Sequence, residues 1–341
     1  MTSTGTAAIT GASGFIGRVL VERLRVERPV RVLVRRLDAM VDRWERGGVE
    51  IVVGDLADDV ALARLVRGSD AVFHCAAFMG KSDPQRSYDV NVTGTARAAR
   101  AALTADVRRF VYVSSISVFG ATSAPGGVVT ERARPRRVHR LNAYARTKHL
   151  GERVVRRLGA TDGLAYTVVR PTNVYGPGSG PWFGQLAAML SRVPIAFGDI
   201  PLDVVYVDDV ADALVLAAAS PAAVGEDFHV GHEMVPMNRF MVEVARVIGR
   251  RAWVLPRAVD RVVRTLIDRG YRAATGTCMS LSLRAPVRYP HDRAAAVLGY
   301  APRVALAEGF ARLRAWYAAG SDASAAATAR ELSAIEDVGR A

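Results

Sequence analysis

Short apolar runs, each about the length of a buried strand, recur through the first half of the chain and alternate with amphipathic stretches. Thr6-Ala7-Ala8-Ile9, Val30 to Val34, Ile51-Val52-Val53, Ala71 to His74, Phe110 to Val113 and the run closing on Val168-Val169 are the strand candidates. Between them apolar residues return at helical spacing. Phe15, Ile16, Val19, Leu20 and Leu24 follow the first run, and helices are predicted over 58–67, 87–103 and 142–158. Strand and helix in alternation predict an α/β fold, a Rossmann-type doubly wound parallel sheet.

Past residue 175 the rhythm changes. The turn-rich stretch Pro177 to Pro181 leads to an apolar helix face of Trp182, Phe183, Leu186, Met189 and Leu190. Asp203 to Val207 reads as a returning strand, and Asp208 to Ala219 as a helix against the sheet. Phe228 to Gly231 is a further short strand, and Asn238 is read as the cap of a helix to Ile248. An amphipathic basic helix follows over Arg257 to Arg269, then short helices over 292–298 and 306–317. The expected division is 1–175 plus 203–222 for nucleotide binding, and 176–202 plus 223–320 for a smaller, mostly helical substrate domain. The alanine- and serine-rich 321–341 is expected to be a flexible tail.

Composition narrows the class. The chain has 341 residues, half of them hydrophobic, enough for a sizeable core. Its two cysteines, Cys75 and Cys278, are too few for a disulfide framework, and no apolar stretch is long enough to span a bilayer. A cytoplasmic enzyme is expected. The net charge of +13 comes almost wholly from arginine, since the only lysines are Lys81 and Lys148. No nucleic-acid-binding motif accompanies it. The basic loop residues Arg132, Arg134, Arg136, Arg137 and Arg140, with the 257–269 helix, offer a surface for an acidic carrier protein or a membrane. No metal-ligand cluster stands out.

The first turn carries the first chemistry. Thr10-Gly11-Ala12-Ser13-Gly14-Phe15-Ile16-Gly17 joins a strand to a helix. Gly11 permits the sharp turn, Gly14 leaves room for a pyrophosphate, and Gly17 lets helix and strand approach. The helix N-terminus then presents free N–H groups to the phosphates. Gly11, Ser13, Gly14, Phe15, Ile16 and Gly17 are therefore the expected phosphate site. The second strand ends at Arg35-Arg36, where an acid would select the 2′-hydroxyl of NAD. With arginines there and the next acid at Asp38, NADP(H) is the expected cofactor.

The second centre is Tyr144-Ala145-Arg146-Thr147-Lys148. Tyr144 and Lys148 are four apart and share one helical face. In a chain that uses arginine for positive charge, a lysine here is chemically distinct, a compact and adjustable ammonium. Beside a phenol it is expected to stabilise the phenolate and lower the phenol pKa toward neutrality. A serine at the end of a neighbouring strand polarises a substrate carbonyl. Asn91 and Gly94, poor choices for a helix interior, mark the 87–103 helix as part of a site.

These segments together resemble the extended short-chain dehydrogenases/reductases, the group of NAD-dependent epimerase/dehydratase and 3β-hydroxysteroid-dehydrogenase-like proteins. The likeness runs from about residue 6 to 318. It rests on TGASGFIG, the GDL at 54–56, HCAA at 74–77, NVTGT at 91–95, YVSSISVFG, YARTK, RPTNVYGPG at 170–178 and VYVDDVADA at 205–213. The resemblance implies a catalytic Ser115, Tyr144 and Lys148, with Asn91 supporting a proton relay. It implies cofactor contacts from Asp55, Leu56, Ala76, Ala77, Tyr144, Lys148, Pro171 and Thr172. A homodimer through the Asn91 and Tyr144 helices is likewise implied.

Within that group the reaction is read from departures. Dehydratases carry an Asp-Glu pair after the catalytic serine, where this chain has Ile116-Ser117-Val118. Nucleotide-sugar epimerases share Asn173 as a diphosphate ligand but place an arginine before the acid of the returning strand, where Leu202 stands. A second expected arginine falls in Met279 to Ser282. Phe78, Ser117, Asn173, Trp182 and Phe183 are the candidate substrate residues, with Met79, Ile195 and Phe197 adding apolar surface. The expected activity is an NADP(H)-dependent ketoreductase or alcohol dehydrogenase acting on a lipophilic or aromatic small molecule. A nucleotide-sugar epimerase or 4-ketoreductase is the alternative, and a non-catalytic NADP sensor a lesser one.

Overall fold

The computed structural model describes residues 5–79, 83–120, 127–135, 142–275 and 287–319. In its first half strands β1 (Thr6–Thr10), β2 (Val30–Val34), β3 (Glu50–Val53), β4 (Ser69–His74), β5 (Arg109–Val113) and β6 (Tyr166–Pro171) alternate with helices. The helices are α1 (Phe15–Leu24), α2 (Ala39–Arg46), α3 (Asp59–Val66), α4 (Pro84–Tyr88), α5 (Thr95–Thr104) and α6 (Ala143–Asp162). The second half runs β7 (Asn173–Tyr175), α7 (Gln185–Arg192), β8 (Ile195–Ala196), β9 (Pro201–Tyr206), α8 (Val207–Ala219), β10 (Asp227–Val230) and β11 (Glu233–Pro236). It continues through α9 (Met237–Val247), β12 (Trp253–Val254), α10 (Arg257–Thr275), α11 (Asp292–Leu298) and α12 (Leu306–Ala318).

Seven strands form one parallel sheet in the order β3-β2-β1-β4-β5-β6-β10. The chain leaves β1 in opposite directions toward β2 and, later, β4. That reversal opens a crevice at the carboxyl ends of the two strands, where such sheets bind nucleotides. Strands buried on both faces read as continuous apolar runs, which is why they were visible in the sequence. One face is covered by α1, α2 and α8 around Leu20, Val21, Leu24, Trp44 and Leu214, the other by α3, α5 and α6 around Leu62, Leu65, Ala99 and Val155. A fully buried leucine or valine contributes about 1.5–3 kcal/mol, so these faces supply most of the driving force.

Three expectations are corrected. β10 was placed with the substrate part but is the seventh strand of the main sheet, paired with β6 from Asp227↔Val168 to Val230↔Pro171. α11 joins it, its Ala294 and Leu298 lying in the same core as Phe228. β9 was placed with the nucleotide part but pairs with β7 and β11 in a separate three-stranded sheet. Its alternate side chains explain the ambiguity: Val205 enters the main core, while Leu202, Val204 and Tyr206 enter a second core with Phe240 and Phe310. Finally, Asn238 does not cap α9. The helix starts one residue earlier without a side-chain cap, and the Asn238 amide donates to the Gly198 carbonyl at 3.1 Å. The 321–341 tail lies outside the described residues.

Candidate active site

The first turn has the shape the sequence requires. Gly11 adopts φ +68°, and a Cβ there would lie 2.5 Å from the Ala76 backbone nitrogen. A Cβ on Gly17 would lie 2.1 Å from the Gly11 carbonyl oxygen, so only glycine lets α1 press on β1. Gly14 differs: a Cβ there would meet only the Gly11 oxygen at 3.1 Å, and Ser13 and Gly14 are exposed. Gly14 is the residue before α1, with no side-chain cap and no acid in the first turn. The N–H groups of Phe15, Ile16 and Gly17 thus open onto the crevice as an anion site. These residues fit a dinucleotide pyrophosphate. Arg18, one turn in, donates to the Pro177 carbonyl and ties this turn to the exit into the second half. Asp55 is exposed and accepts from Ala57 N at 2.7 Å, and Leu56 packs where a Cβ on Gly94 would sit.

At the end of β2, Arg35 and Arg36 are exposed, and no hydrogen bond or ion pair joins either to another described residue. Asp38 is occupied otherwise. Its Oδ1 accepts from Met40 N and Val41 N at 3.0 Å each, capping α2.

Ser115, Tyr144 and Lys148 converge at the carboxyl end of β5. Ser115 begins the 3-10 turn Ile116–Phe119, and its Oγ accepts from Ser117 N at 3.1 Å. Asn142 caps α6 by accepting from Ala145 N at 2.8 Å, which starts the helix with Tyr144 facing Ser115. The Ser115 hydroxyl faces the Tyr144 phenol. Burial pushes that phenol up to about 12, and the serine contact only partly offsets it. Lys148 is 1% exposed, its Nζ 4.2 Å from the centre of the Tyr112 ring. Burial brings its ammonium down to about 7, against the attraction of Glu152. The expected lowering of the phenol by the amine is therefore corrected: in the free protein desolvation governs both groups and moves them apart from their ordinary values in opposite directions.

One turn on, Glu152 shows what the sequence reading missed. It accepts from Arg170 Nε and Nη2 at 2.7 Å each and from Ser114 Oγ at 2.6 Å. Asp227 and Arg156 extend the cluster. Burial alone would raise the Glu152 carboxyl, but Arg170 and Ser114 hold it near 2. The Arg170 guanidinium also lies 4.9 Å from the Phe119 ring centre. So the residue before Ser115 is fastened to α6 and the turn after it rests on Arg170. The i, i+4 spacing of Glu152 from Lys148 was the available signal.

The 87–103 helix is not uniform. α4 and α5 flank a π-helix over Asp89–Gly94 that carries Asn91, and such turns recur at functional sites. The Asn91 amide is fully engaged. Nδ2 donates to the Phe78 carbonyl and to Thr147 Oγ1 at 2.9 Å each, and Oδ1 accepts from Phe78 N at 2.7 Å. Its side chain fixes the Ala76-Ala77-Phe78 loop to α6. Its carbonyl accepts from Thr95 Oγ1 at 2.8 Å, so Thr95 must accept from His74 Nε2, 2.9 Å away. His74 Nδ1 then accepts from Thr10 Oγ1 at 2.7 Å. Burial lowers His74 to about 3, which keeps it neutral in this chain of bonds from β1 to the π-helix.

Beyond the crevice, Pro171 and Thr172 are buried at the end of β6. Asn173 Nδ2 donates to the Asp203 carbonyl at 2.7 Å, leaving one fewer donor for a ligand. Ser117 Oγ is buried without a partner among the described residues. Phe78 is half-buried under the Arg86 guanidinium, and Met79 is exposed. Phe183 is corrected: it is 2% exposed and packs in the second core with Tyr175 and Leu190. Leu202 is buried in the same core. The Trp182 side chain, residues 279–282 and Arg136, Arg137 and Arg140 lie outside the described residues. The 127–135 part of the basic loop pairs with 287–289, Val129 N donating to the Arg288 carbonyl at 2.9 Å.

Comparison with known proteins shows the family. The profile of the NAD dependent epimerase/dehydratase family matches residues 7–231. A ceramide reductase of Caulobacter vibrioides is 36% identical over 221 residues, 64% of this chain and 62% of that protein's length, so the match spans about three fifths of it. A 2-alkyl-3-oxoalkanoate reductase of Stenotrophomonas maltophilia is 30% identical over 331 residues, covering 91% and 99% of the two chains. Among solved structures, MoeE5 in complex with UDP-glucose and NAD superposes with a TM-score of 0.71 at 26% identity, covering 93% of this chain and 99% of that one. The glycine turn at the sheet's reversal, the Ser115–Tyr144 pair with its buried lysine and the family match lead to one assignment: the chain belongs to the NAD dependent epimerase/dehydratase family of extended short-chain dehydrogenases/reductases.

Proposed function

We propose that the protein is an NADP(H)-dependent carbonyl reductase for a lipophilic small molecule. The observation that carries this reading is the Ser115–Tyr144 hydroxyl pair beside Lys148 at the mouth of the nucleotide crevice. The nicotinamide, when bound, supplies or accepts the hydride. The first turn would hold the pyrophosphate, Asp55 and Leu56 the adenine, and Ala76, Ala77, Pro171 and Thr172 the nicotinamide. Lys148 also holds the nicotinamide ribose. Ser115 donates a hydrogen bond to the substrate carbonyl and polarises it. Tyr144, protonated at neutral pH because its pKa is about 12, gives its proton to the carbonyl oxygen as the alcohol forms. Lys148, near 7, is matched to the medium and would return a proton to the phenol. Asn91 acts by holding the Phe78 loop.

The lipophilic substrate is supported by Phe78 and Met79 at the loop after β4, by Leu202 packed in a core, and by relatives named as reductases of ceramide and of a 2-alkyl-3-oxoalkanoate. A nucleotide-sugar epimerase is the second reading, favoured by the UDP-glucose complex of the MoeE5 neighbour. NADPH oxidation measured against a panel of alkyl ketones and a panel of nucleotide-sugars separates them, and turnover of nucleotide-sugars alone would overturn the first. Tyr144→Phe is expected to lower turnover by about 10²–10⁴ with unchanged cofactor binding. A variant that keeps full turnover would remove Tyr144 from the mechanism.

A further inference from the structure

We propose that α10, with the Trp253–Val254 strand before it, is a docking face for the surface of an anionic lipid bilayer. The proposal is independent of the reaction assigned above. Among the described residues sixteen large hydrophobic side chains are exposed, and six of them fall between 253 and 267: Trp253, Val254, Val259, Val262, Leu266 and Ile267. Scattered exposed apolar residues need no explanation, but a concentration on one helix does.

The helix is attached by its polar side. Asp260 is buried, accepts from the Gly198 backbone N–H and pairs with Arg264 at 2.8 Å. Val259, Val262 and Leu266, at i, i+3 and i+7, form one outward stripe. Trp253 is 72% exposed and Leu266 60%. The segment is rich in cations. Residues 250–272 contain seven arginines and two aspartates. Arg269 is exposed and falls beside Val262 on the helical wheel, while Arg261 and Arg257, the latter paired with Asp199 at 2.8 Å, lie on the opposite face.

An outward apolar stripe beside an arginine, on an arginine-rich helix preceded by an exposed tryptophan, fits a helix lying in a membrane interface. The charge decides between occupants. A second copy would bring two arginine-rich helices together, which like-charge repulsion opposes. An acidic protein would answer the arginines but would need its own groove for this convex apolar stripe. Anionic headgroups above an acyl boundary satisfy both at once. No described helix is long and apolar enough to cross a membrane, so the contact is with the surface.

Flotation of the full chain with vesicles tests this, using phosphatidylcholine alone and phosphatidylcholine with about one third phosphatidylglycerol. Binding is expected to the anionic vesicles and to fall several-fold as salt is raised. V262D/L266D is expected to reduce it by about tenfold or more, and the charge reversal R269E to weaken the preference for phosphatidylglycerol. Both variants alter exposed positions and should melt as the parent does, which controls for folding. Four results would each overturn the proposal: no flotation at low salt, flotation of V262D/L266D equal to the parent, a dimer in sedimentation that V262D/L266D dissociates without vesicle binding, or binding to an immobilised acidic carrier protein alone.

Discussion

One turn of α6 separates two buried charges that the protein treats in opposite ways. Glu152 is surrounded: two bonds from Arg170, one from Ser114, with Arg156 and Asp227 beyond. Lys148 is as deeply buried, yet no hydrogen bond or ion pair joins its Nζ to another described residue, and it lies 4.2 Å from the centre of the Tyr112 ring. Burial therefore costs Glu152 little of its charge, while it drives the Lys148 ammonium down to about 7. A paired buried charge fixes structure. An unpaired one costs stability and is kept where a ligand or a proton transfer will use it.

The largest effect expected from this contrast is at Lys148. Lys148→Met should lower turnover by about 10³-fold while making the fold more stable. The sign follows from the shift. The folded amine sits near 7 and the unfolded one near 10.5. Between those values the unfolded chain binds the proton more tightly, so wild-type stability rises with pH through that window and carries the whole cost below it. The methionine variant lacks that slope. Its gain, roughly 3–5 kcal/mol as an upper range, should be greatest at or below pH 7 and vanish toward 10.5 in denaturation measured across pH. A variant less stable than wild type at pH 7 would mean the amine has partners in the free protein after all.

Glu152→Gln is the converse and comes next. It leaves Arg170 buried beside a neutral group, a loss of about 3–4 kcal/mol in unfolding free energy. The folded carboxyl sits near 2 and its ordinary value is 4.5. Its contribution is thus present above 4.5 and lost as pH falls toward 2, and that acid-side loss should be absent from the variant. Turnover should change by less than tenfold, because Glu152 reaches the site only indirectly, through Ser114, Arg170 and its attraction on the Lys148 ammonium. A large loss of activity with unchanged stability would erase the distinction between the two charges.

The same distinction explains what could be read from the sequence. The strands of the sheet were legible because burial on both faces leaves uninterrupted apolar runs, and Gly11 and Gly17 because no other residue fits their contacts. Tyr144 and Lys148 were legible as a spacing on one helix. Glu152 was not, although it shares that spacing, because its partners Arg170 and Ser114 come from β6 and the end of β5, and Asp227 on β10 pairs with Arg170 in turn. Phe183 was misjudged for the same reason: an apolar residue near a site and one in a core look alike until Tyr175 and Leu190 close around it. The strand β10 was assigned to the wrong part because four residues carry no sign of which sheet they join. The direction of the Tyr144 shift was missed because spacing reveals a neighbour but not the loss of water.

The smallest effect tests whether the contrast extends to the surface. Arg35 and Arg36 are unpaired cations among the described residues, as Lys148 is, while Asp38 beside them is committed to the α2 cap. By the same logic the arginines await a ligand anion and the aspartate does not. A 2′-phosphate held by charge-assisted bonds from one or both arginines is worth about 1.5–3 kcal/mol. R35S/R36S should therefore raise the KM for NADPH by about 10–100-fold and leave that for NADH nearly unchanged. Asp38→Ser keeps a capping oxygen and should alter neither. If the double arginine variant keeps its NADPH affinity while Asp38→Ser weakens NADH, then the acid leaves its cap to bind ribose, and an unpaired charge at this surface is no guide to a ligand.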